Sequence, residues 1–167
     1  ATTPRRSVVL DPVKVRVDSF PKDLDVVELA NHPDQPGLGR RRVSAGPVFW
    51  LPGADVRAHL GEEIRLKDLA NIRLPAAVEE PGGEPVHASF TSRENRRLPR
   101  VQWAGAEGAI GIDLLQADGT HILGVGEASL REAPERAIYQ FERVGFARMD
   151  LGWTSGSLPV RACYGHP

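Results

Sequence analysis

Glycine and proline interrupt this chain so often that long helices are excluded from most of it. Seventeen glycines and fourteen prolines are spread over 167 residues, and each type is costly inside a helix. The segments between them are short, and many alternate in polarity. Val13, Val15 and Val17 alternate with Lys14, Arg16 and Asp18, the period of a strand with one buried face. Pro12 precedes that run, where a missing N–H is tolerated. The same reasoning predicts strands over residues 26–29, 48–51, 63–67, 70–74, 86–91, 100–103, 110–115, 121–125, 138–142, 147–151 and 160–164. Asp118-Gly119 is a two-residue turn signal that joins 110–115 to 121–125 as a hairpin. Helical patterning is confined to residues 54–60, with Asp55 near the start, and to a turn or two within 129–137. The class is therefore all-β, a barrel or sandwich architecture. Two small β-barrels fit better than one, with 80–84 and 93–100 as connections.

Composition narrows the function classes. A chain of this length buries roughly 70% of its unfolded surface, so it needs no metal or disulfide staple. The single cysteine, Cys163, cannot form an internal disulfide, and no leader-like segment is visible, so a cytoplasmic setting is expected. No apolar run approaches the ~20 residues of a membrane-spanning helix, and no membrane partner is expected. The net charge of −1 argues against a protein that coats duplexes or binds DNA, because that affinity comes from neutralised phosphates. RNA binding would have to come from local arginines, which cluster at Arg40-Arg41-Arg42 and at Arg93, Arg96, Arg97 and Arg100. Each run by itself reads as a solvated loop.

Catalytic constellations are missing from the sequence. Neither of two ATP-handling motifs, His-x-Gly-His and Lys-Met-Ser-Lys-Ser, occurs. The only methionine, Met149, reads as core filler. There is no P-loop, and Gly124-Val125-Gly126 lacks the third glycine and helix of a dinucleotide fingerprint, so it reads as part of a hairpin. His32, His59, His87, His121 and His166 are scattered, without zinc-ligand spacing. Nothing resembles a nucleophile elbow, and the pairs Glu62-Glu63 and Glu79-Glu80 point apart on a strand or turn. No catalytic residue, metal site or cofactor is expected in this chain.

Four blocks do carry a resemblance. They are Pro4-Arg5 with Val9-Leu10-Asp11-Pro12-Val13-Lys14; Asn31-His32-Pro33 with Pro36, Gly39 and Arg41 or a neighbouring arginine; Gly61-Glu62-Glu63-Ile64-Arg65-Leu66-Lys67-Asp68 with Asn71; and Gly126-Glu127 followed by Gln140-Phe141-Glu142-Arg143-Val144-Gly145-Phe146 and Asp150. In this order and spacing they resemble the C-terminal anticodon-binding region of glutaminyl- and archaeal-type glutamyl-tRNA synthetases. The run from Phe141 to Phe146 and Lys67-Asp68-Leu69 look more like the glutamyl version. The resemblance implies two β-barrels of the ribosomal-protein-L25-like type that grip an anticodon loop where they meet. The expected partition is 1–20 with 101–167 as the proximal barrel and 21–100 as the distal one. It also implies a class I catalytic domain, with ATP and magnesium, elsewhere in the same polypeptide. The start in Ala-Thr-Thr-Pro-Arg without Met fits a fragment of such a protein. Glutaminyl-tRNA synthetase and a stand-alone L25-like rRNA-binding protein are the competing readings.

By the same resemblance, Arg5 and Gln140 contact the central anticodon base, Arg65 and Lys67 lie near the first, Arg143 lies near the third base or its phosphate, and Arg57 makes a further contact. Family members often have Arg where Lys67 stands. The chemistry suits RNA: unpaired bases are stacked and bonded along their edges, an arginine fork can do both, and a glutamine amide matches the O4 and N3–H edge of uridine. Each residue also has a plainer reading. Arg65 and Lys67 alternate with Ile64 and Leu66 and so fit the wet face of a strand. Gln140 fits an outward polar position, and Arg143 a surface ion pair. Trp50, Trp103 and Trp153 are stacking candidates whose default is a buried or half-buried place in a barrel.

Overall fold

The computed structural model describes residues 2–78, 84–150 and 160–167. Its strands, in chain order, are β1 (Arg5–Arg6), β2 (Val8–Leu10), β3 (Pro12–Asp18), β4 (Val26–Ala30), β5 (Arg40–Ser44), β6 (Val48–Pro52), β7 (Glu63–Leu66), β8 (Ala70–Arg73), β9 (Val86–Ser92), β10 (Arg100–Val101), β11 (Ala104–Gly105), β12 (Ile110–Leu115), β13 (His121–Gly126), β14 (Ile138–Phe141), β15 (Gly145–Met149) and β16 (Val160–His166). One short helix, α1 (Gly53–Ala58), follows β6, and a 3-10 turn at Ala128–Glu132 follows β13. Among the described residues no helix is long and apolar enough to cross a membrane.

Two seven-stranded sheets and a two-stranded ribbon of β4 and β5 make up the fold. The first sheet is ordered β1-β14-β15-β16-β12-β13-β2, the second β10-β7-β8-β9-β3-β6-β11. In each, the two outermost strands are neighbours in the chain. Strands β1 and β2 flank Ser7, and β10 and β11 flank Gln102 and Trp103. A sheet whose edges are tied together by so short a link has to curl, so each forms a barrel-like wall with a seam at that link.

The two walls share one topology. Reading β12, β13, β14, β15, β16, β1, β2 against β3, β6, β7, β8, β9, β10, β11, every pairing keeps its direction. Both seams use a two-residue parallel strand: Arg5 sits opposite Gln140, and Arg100 opposite Arg65. The irregularities coincide as well, at Phe146/Ala147 and at Asn71/Ile72.

Each wall encloses its own core. Alternation buries Ile110, Ile112 and Leu114 with Phe141, Met149 and Leu130 in the first. Val15, Val17, Leu51, Ile64, Leu66 and Ile72 fill the second, where Phe49 and Trp103 pack edge to face at 5.6 Å. Such aromatic pairs add about 0.5–1.5 kcal/mol beyond the area they bury.

The partition differs from the one read in sequence. Strand β3 pairs with β6 and β9 inside the second sheet, so the chain crosses over at Asp11 rather than near residue 20, and it returns after Gly105. Strand β5, read as a solvated arginine loop, pairs antiparallel with β4. The predicted hairpin of β12 and β13 forms, but Gln116 N–H donates to Thr120 O at 2.8 Å. That leaves three residues at the tip, with Gly119 at a φ of +85°, a conformation glycine adopts without penalty. The expected connection at 80–84, apart from Glu84, and the last residue of the strand expected at 147–151 lie outside the described residues, as does Trp153.

A buried carboxylate joins these parts. The Glu127 side chain has no exposed surface and accepts from Arg41 Nε at 2.5 Å and Nη2 at 2.8 Å, from Ser129 Oγ at 2.5 Å and from Ser7 N–H at 2.8 Å. Arg6 lies over the Tyr139 ring, 4.8 Å from its centre, with Nε 3.8 Å from Glu127. Ser7 Oγ in turn accepts from Gln102 Nε2 at 2.8 Å, which ties one seam to the other. Burial alone would raise the Glu127 carboxyl; the hydrogen bonds and charge of Arg41, with Ser129 and Ser7, outweigh it and hold it below the ordinary 4.5. A carboxyl depressed in the folded state stabilises above its unfolded value, and that contribution is lost as pH falls below 4.5 toward the folded value. Glu127→Gln is therefore expected to cost about 3 kcal/mol or more at neutral pH, the penalty for leaving a buried partner uncompensated. The variant is also expected to show a flatter loss of stability in acid. Urea denaturation at neutral pH and stepwise below it checks both, and an unchanged midpoint in the variant contradicts them.

Candidate nucleic-acid interface

The seam strands bring the sequence-predicted residues together. Backbone bonds hold β1 on both sides: Gln140 N–H donates to Pro4 O at 3.0 Å, and Arg5 N–H donates to Asn31 O at 2.7 Å. Asn31 is itself fixed by Nδ2 donating to Leu38 O at 2.9 Å and by Arg6 Nη1 donating to its Oδ1 at 3.0 Å. The loop that opens with Asn31-His32-Pro33 thus braces Arg5, a role that strand periodicity does not reveal. Arg5 Nε donates to Gln140 Oε1 at 3.1 Å, and both side chains remain half-buried. The result is a guanidinium and an amide aligned side by side, with donor groups left over.

The facing edge of the second barrel supplies Lys67 and Arg100. Lys67 N–H donates to Val101 O at 3.0 Å, as Glu142 N–H does to Arg6 O at 3.3 Å in the first barrel. The turns beyond are alike too: Leu69 N–H bonds Leu66 O and Val144 N–H bonds Phe141 O, with Asp68 at φ 57° and Arg143 at φ 63°. Across the junction the Lys67 ammonium pairs with the Glu142 carboxylate. Arg143 donates through Nη2 to Arg100 O and lies 3.6 Å from Asp55 on α1. Burial lowers the Lys67 ammonium below its usual value; Asp68 opposes this, and the charges of Arg5, Arg143 and Arg100 add to the lowering. Arg5, Lys67, Gln140 and Arg143 therefore cluster where the two barrels meet, with Arg100 beside them.

Two predicted residues stand elsewhere. Arg65 points outward from β7, yet it is only 8% exposed because the 93–99 segment covers it. Its Nη1 donates to Asn71 Oδ1 at 2.9 Å and to Glu94 O at 3.1 Å, while Asn71 Nδ2 donates to Ser92 Oγ and Glu94 O, both at 2.8 Å. The wet-face reading of Arg65 fails because a distant loop folds over that face. Arg57, on α1, pairs with Asp11 at 2.8 Å at the exposed crossing between the sheets.

The arginine runs are largely occupied. Arg41 serves Glu127, Arg93 makes two 2.7 Å bonds to Asp23, and Arg96 meets Glu63 at 2.5 Å. Trp103 is 2% exposed and donates Nε1–H to Lys67 O at 2.8 Å, so it belongs to the core and is no stacking platform. Trp50 is half-buried, with Lys14 Nζ 5.5 Å from its ring centre.

Two family models described as "tRNA synthetases class I (E and Q), anti-codon binding domain" match residues 3–97 and 100–150. The chain belongs to this family. Among curated relatives it is 35% identical over 143 residues to a glutamate–tRNA ligase of Methanothermobacter thermautotrophicus, covering 84% of this chain and 24% of that protein. It is 32% identical over 142 residues to the glutamate–tRNA ligase of Methanoculleus marisnigri, covering 85% and 24%. A glutamine–tRNA ligase of Escherichia coli is 23% identical over 199 aligned positions, covering 94% and 36%. The chain spans about a quarter of the length of the glutamate–tRNA ligases it matches. The cluster at the barrel junction thus lies in an anticodon-binding domain of the glutamyl and glutaminyl class.

Asn71 is the keystone of the covered patch. Asn71→Ala is expected to leave the buried Arg65 guanidinium short of an acceptor and the 93–99 segment short of a donor, at a cost of about 1–3 kcal/mol. Chemical denaturation measures the loss. Faster amide exchange at Arg96, whose N–H donates to Glu94 O at 2.8 Å, should accompany it.

Proposed function

We propose that this chain binds the anticodon loop of a glutamate tRNA at the junction of its barrels, as the C-terminal part of a glutamate–tRNA ligase. The observation that carries the reading is the Arg5–Gln140 pair beside Lys67 and Arg143 at the barrel junction. The Nη groups of Arg5, unpaired among the described residues, and the Gln140 amide suit the Watson–Crick edge of the central U of a glutamate anticodon. Lys67 supplies charge without a fork, toward the first base, and Arg143 lies toward the third base or its phosphate. Arg65, turned to Asn71 and Glu94, acts by positioning the covering segment, and Arg57 stays at the rim. Identity to glutamate–tRNA ligases at 32–35%, against 23% to the glutamine–tRNA ligase, favours glutamate.

The activity of the whole protein, attachment of glutamate to tRNA with ATP and magnesium, belongs to a catalytic domain of the same polypeptide outside these residues. Among the described residues no three His, Cys, Asp or Glu side chains come together to hold a metal.

Binding of the chain to an anticodon stem-loop, followed by titration in rising salt, tests the reading. Replacing the central U should cost about 1–3 kcal/mol. Arg5→Ala and Gln140→Ala should weaken binding to the normal loop and narrow its advantage over the central-base variant. Equal binding to all anticodons rejects the assignment of Arg5 and Gln140. A preference for G over C at the third position selects glutamine instead of glutamate, and a preference for structured rRNA selects a ribosomal target.

A further inference from the structure

The shared topology makes Arg100 the equivalent of Arg5. Each follows a proline whose carbonyl accepts the partner strand's N–H: Pro4 O from Gln140 at 3.0 Å and Pro99 O from Arg65 at 2.8 Å. Each sits on a two-residue seam strand, in register with the third residue of the next strand, Gln140 on β14 and Arg65 on β7. The surroundings then diverge. Arg5 has an amide acceptor at Gln140 that orients its guanidinium. At the equivalent place Arg100 has Arg65, which has no acceptor to offer and is turned toward Asn71 and Glu94. Arg100 is exposed, and among the described residues no carboxylate pairs with it. Its charge is close enough to Lys67 to help depress that ammonium, together with the charges of Arg5 and Arg143. Arg143 anchors to its backbone carbonyl, not to its side chain.

We propose that Arg100 is a further RNA-contacting residue of the junction, one that binds a backbone phosphate of the RNA and reads no base. A base edge demands a fixed planar donor, which the Gln140 contact provides for Arg5. An unoriented guanidinium among like charges lacks that constraint, and it gains most from a polyanion that relieves the repulsion. The two sides of the junction would then divide the work, the Arg5–Gln140 side specifying and the Arg100 side holding. The inference rests on the anticodon-loop reading above.

The test compares the full 167-residue chain with Arg100→Ala, Arg100→Lys and Arg5→Ala, each titrated with the normal anticodon stem-loop and its central-base variant over a range of salt. Arg100→Ala should weaken both RNAs by the same several-fold factor and reduce the slope of log affinity against log salt by about 0.7–1, the signature of one lost phosphate contact. Arg100→Lys should recover most of the affinity, because a point charge suffices for a phosphate. Among the described residues the side chain makes no hydrogen bond or ion pair, so the melting temperature of each Arg100 variant should match the parent. Unchanged binding in Arg100→Ala overturns the proposal, as does a narrowed preference between the two RNAs or a failure of Arg100→Lys to recover. If the parent chain binds neither RNA, the anticodon reading falls and this inference with it. If the parent binds and Arg5→Ala narrows discrimination while Arg100→Ala does nothing, only this inference falls.

Discussion

A carboxylate with no exposed surface is tolerable only when its lost hydration is replaced, and at Glu127 the replacements come from segments far apart in the chain. Arg41 arrives from the β4–β5 ribbon, Ser7 from the seam of the first barrel, and Ser129 from the turn after β13. Desolvating such a charge carries a penalty of several kcal/mol unless every partner is in place. The barrels and the ribbon therefore have one satisfactory arrangement at this point. Gln102, bonded to Ser7, extends the constraint to the second seam. The cluster of Arg5, Lys67, Gln140 and Arg143 inherits its geometry from this junction, since Arg5 is two residues from Ser7 and Arg100 two residues from Gln102.

Two walls of equal topology meeting at a junction set equivalent residues against each other. Lys67 and Glu142 are equivalent and pair across it; Ser7 and Gln102 are equivalent and bond across it. Identical residues at the first pair would place like charges together. The chain instead carries Lys67-Asp68 on one barrel and Glu142-Arg143 on the other, so repulsion becomes attraction. The same divergence separates Gln140 from Arg65. One equivalent position offers an amide to the junction, and the other anchors the segment that covers its own strand.

Much of the architecture is legible in the sequence. The alternation at Val13–Val17 and at Ile110–Leu114 follows the burial found there, because a half-buried strand leaves a period of two in its sequence. Strands of two or three residues carry almost no period of their own, which is why periodicity does not mark β1, β2 and β11 although they lie at the seams. The arginines of β5 read as solvent-facing because their partners, Glu28 for Arg40 and Glu127 for Arg41, are reached only through pairing and packing. The block Gly126-Glu127 stood out by resemblance, yet nothing local announced that its carboxylate would be buried.

Sequence by itself determined the all-β class, the family and the residue types available at the junction, since these depend on local periodicity and on ordered motifs along the chain. Tertiary structure alone decided which of those residues share a surface. Arg65 and Lys67 are two apart in the chain, one on β7 and one just past its end, and look equivalent in sequence, yet the 93–99 segment covers the first and leaves the second at the junction. Exposure depends on what a remote part of the chain packs against a side chain, and strand periodicity carries no record of that.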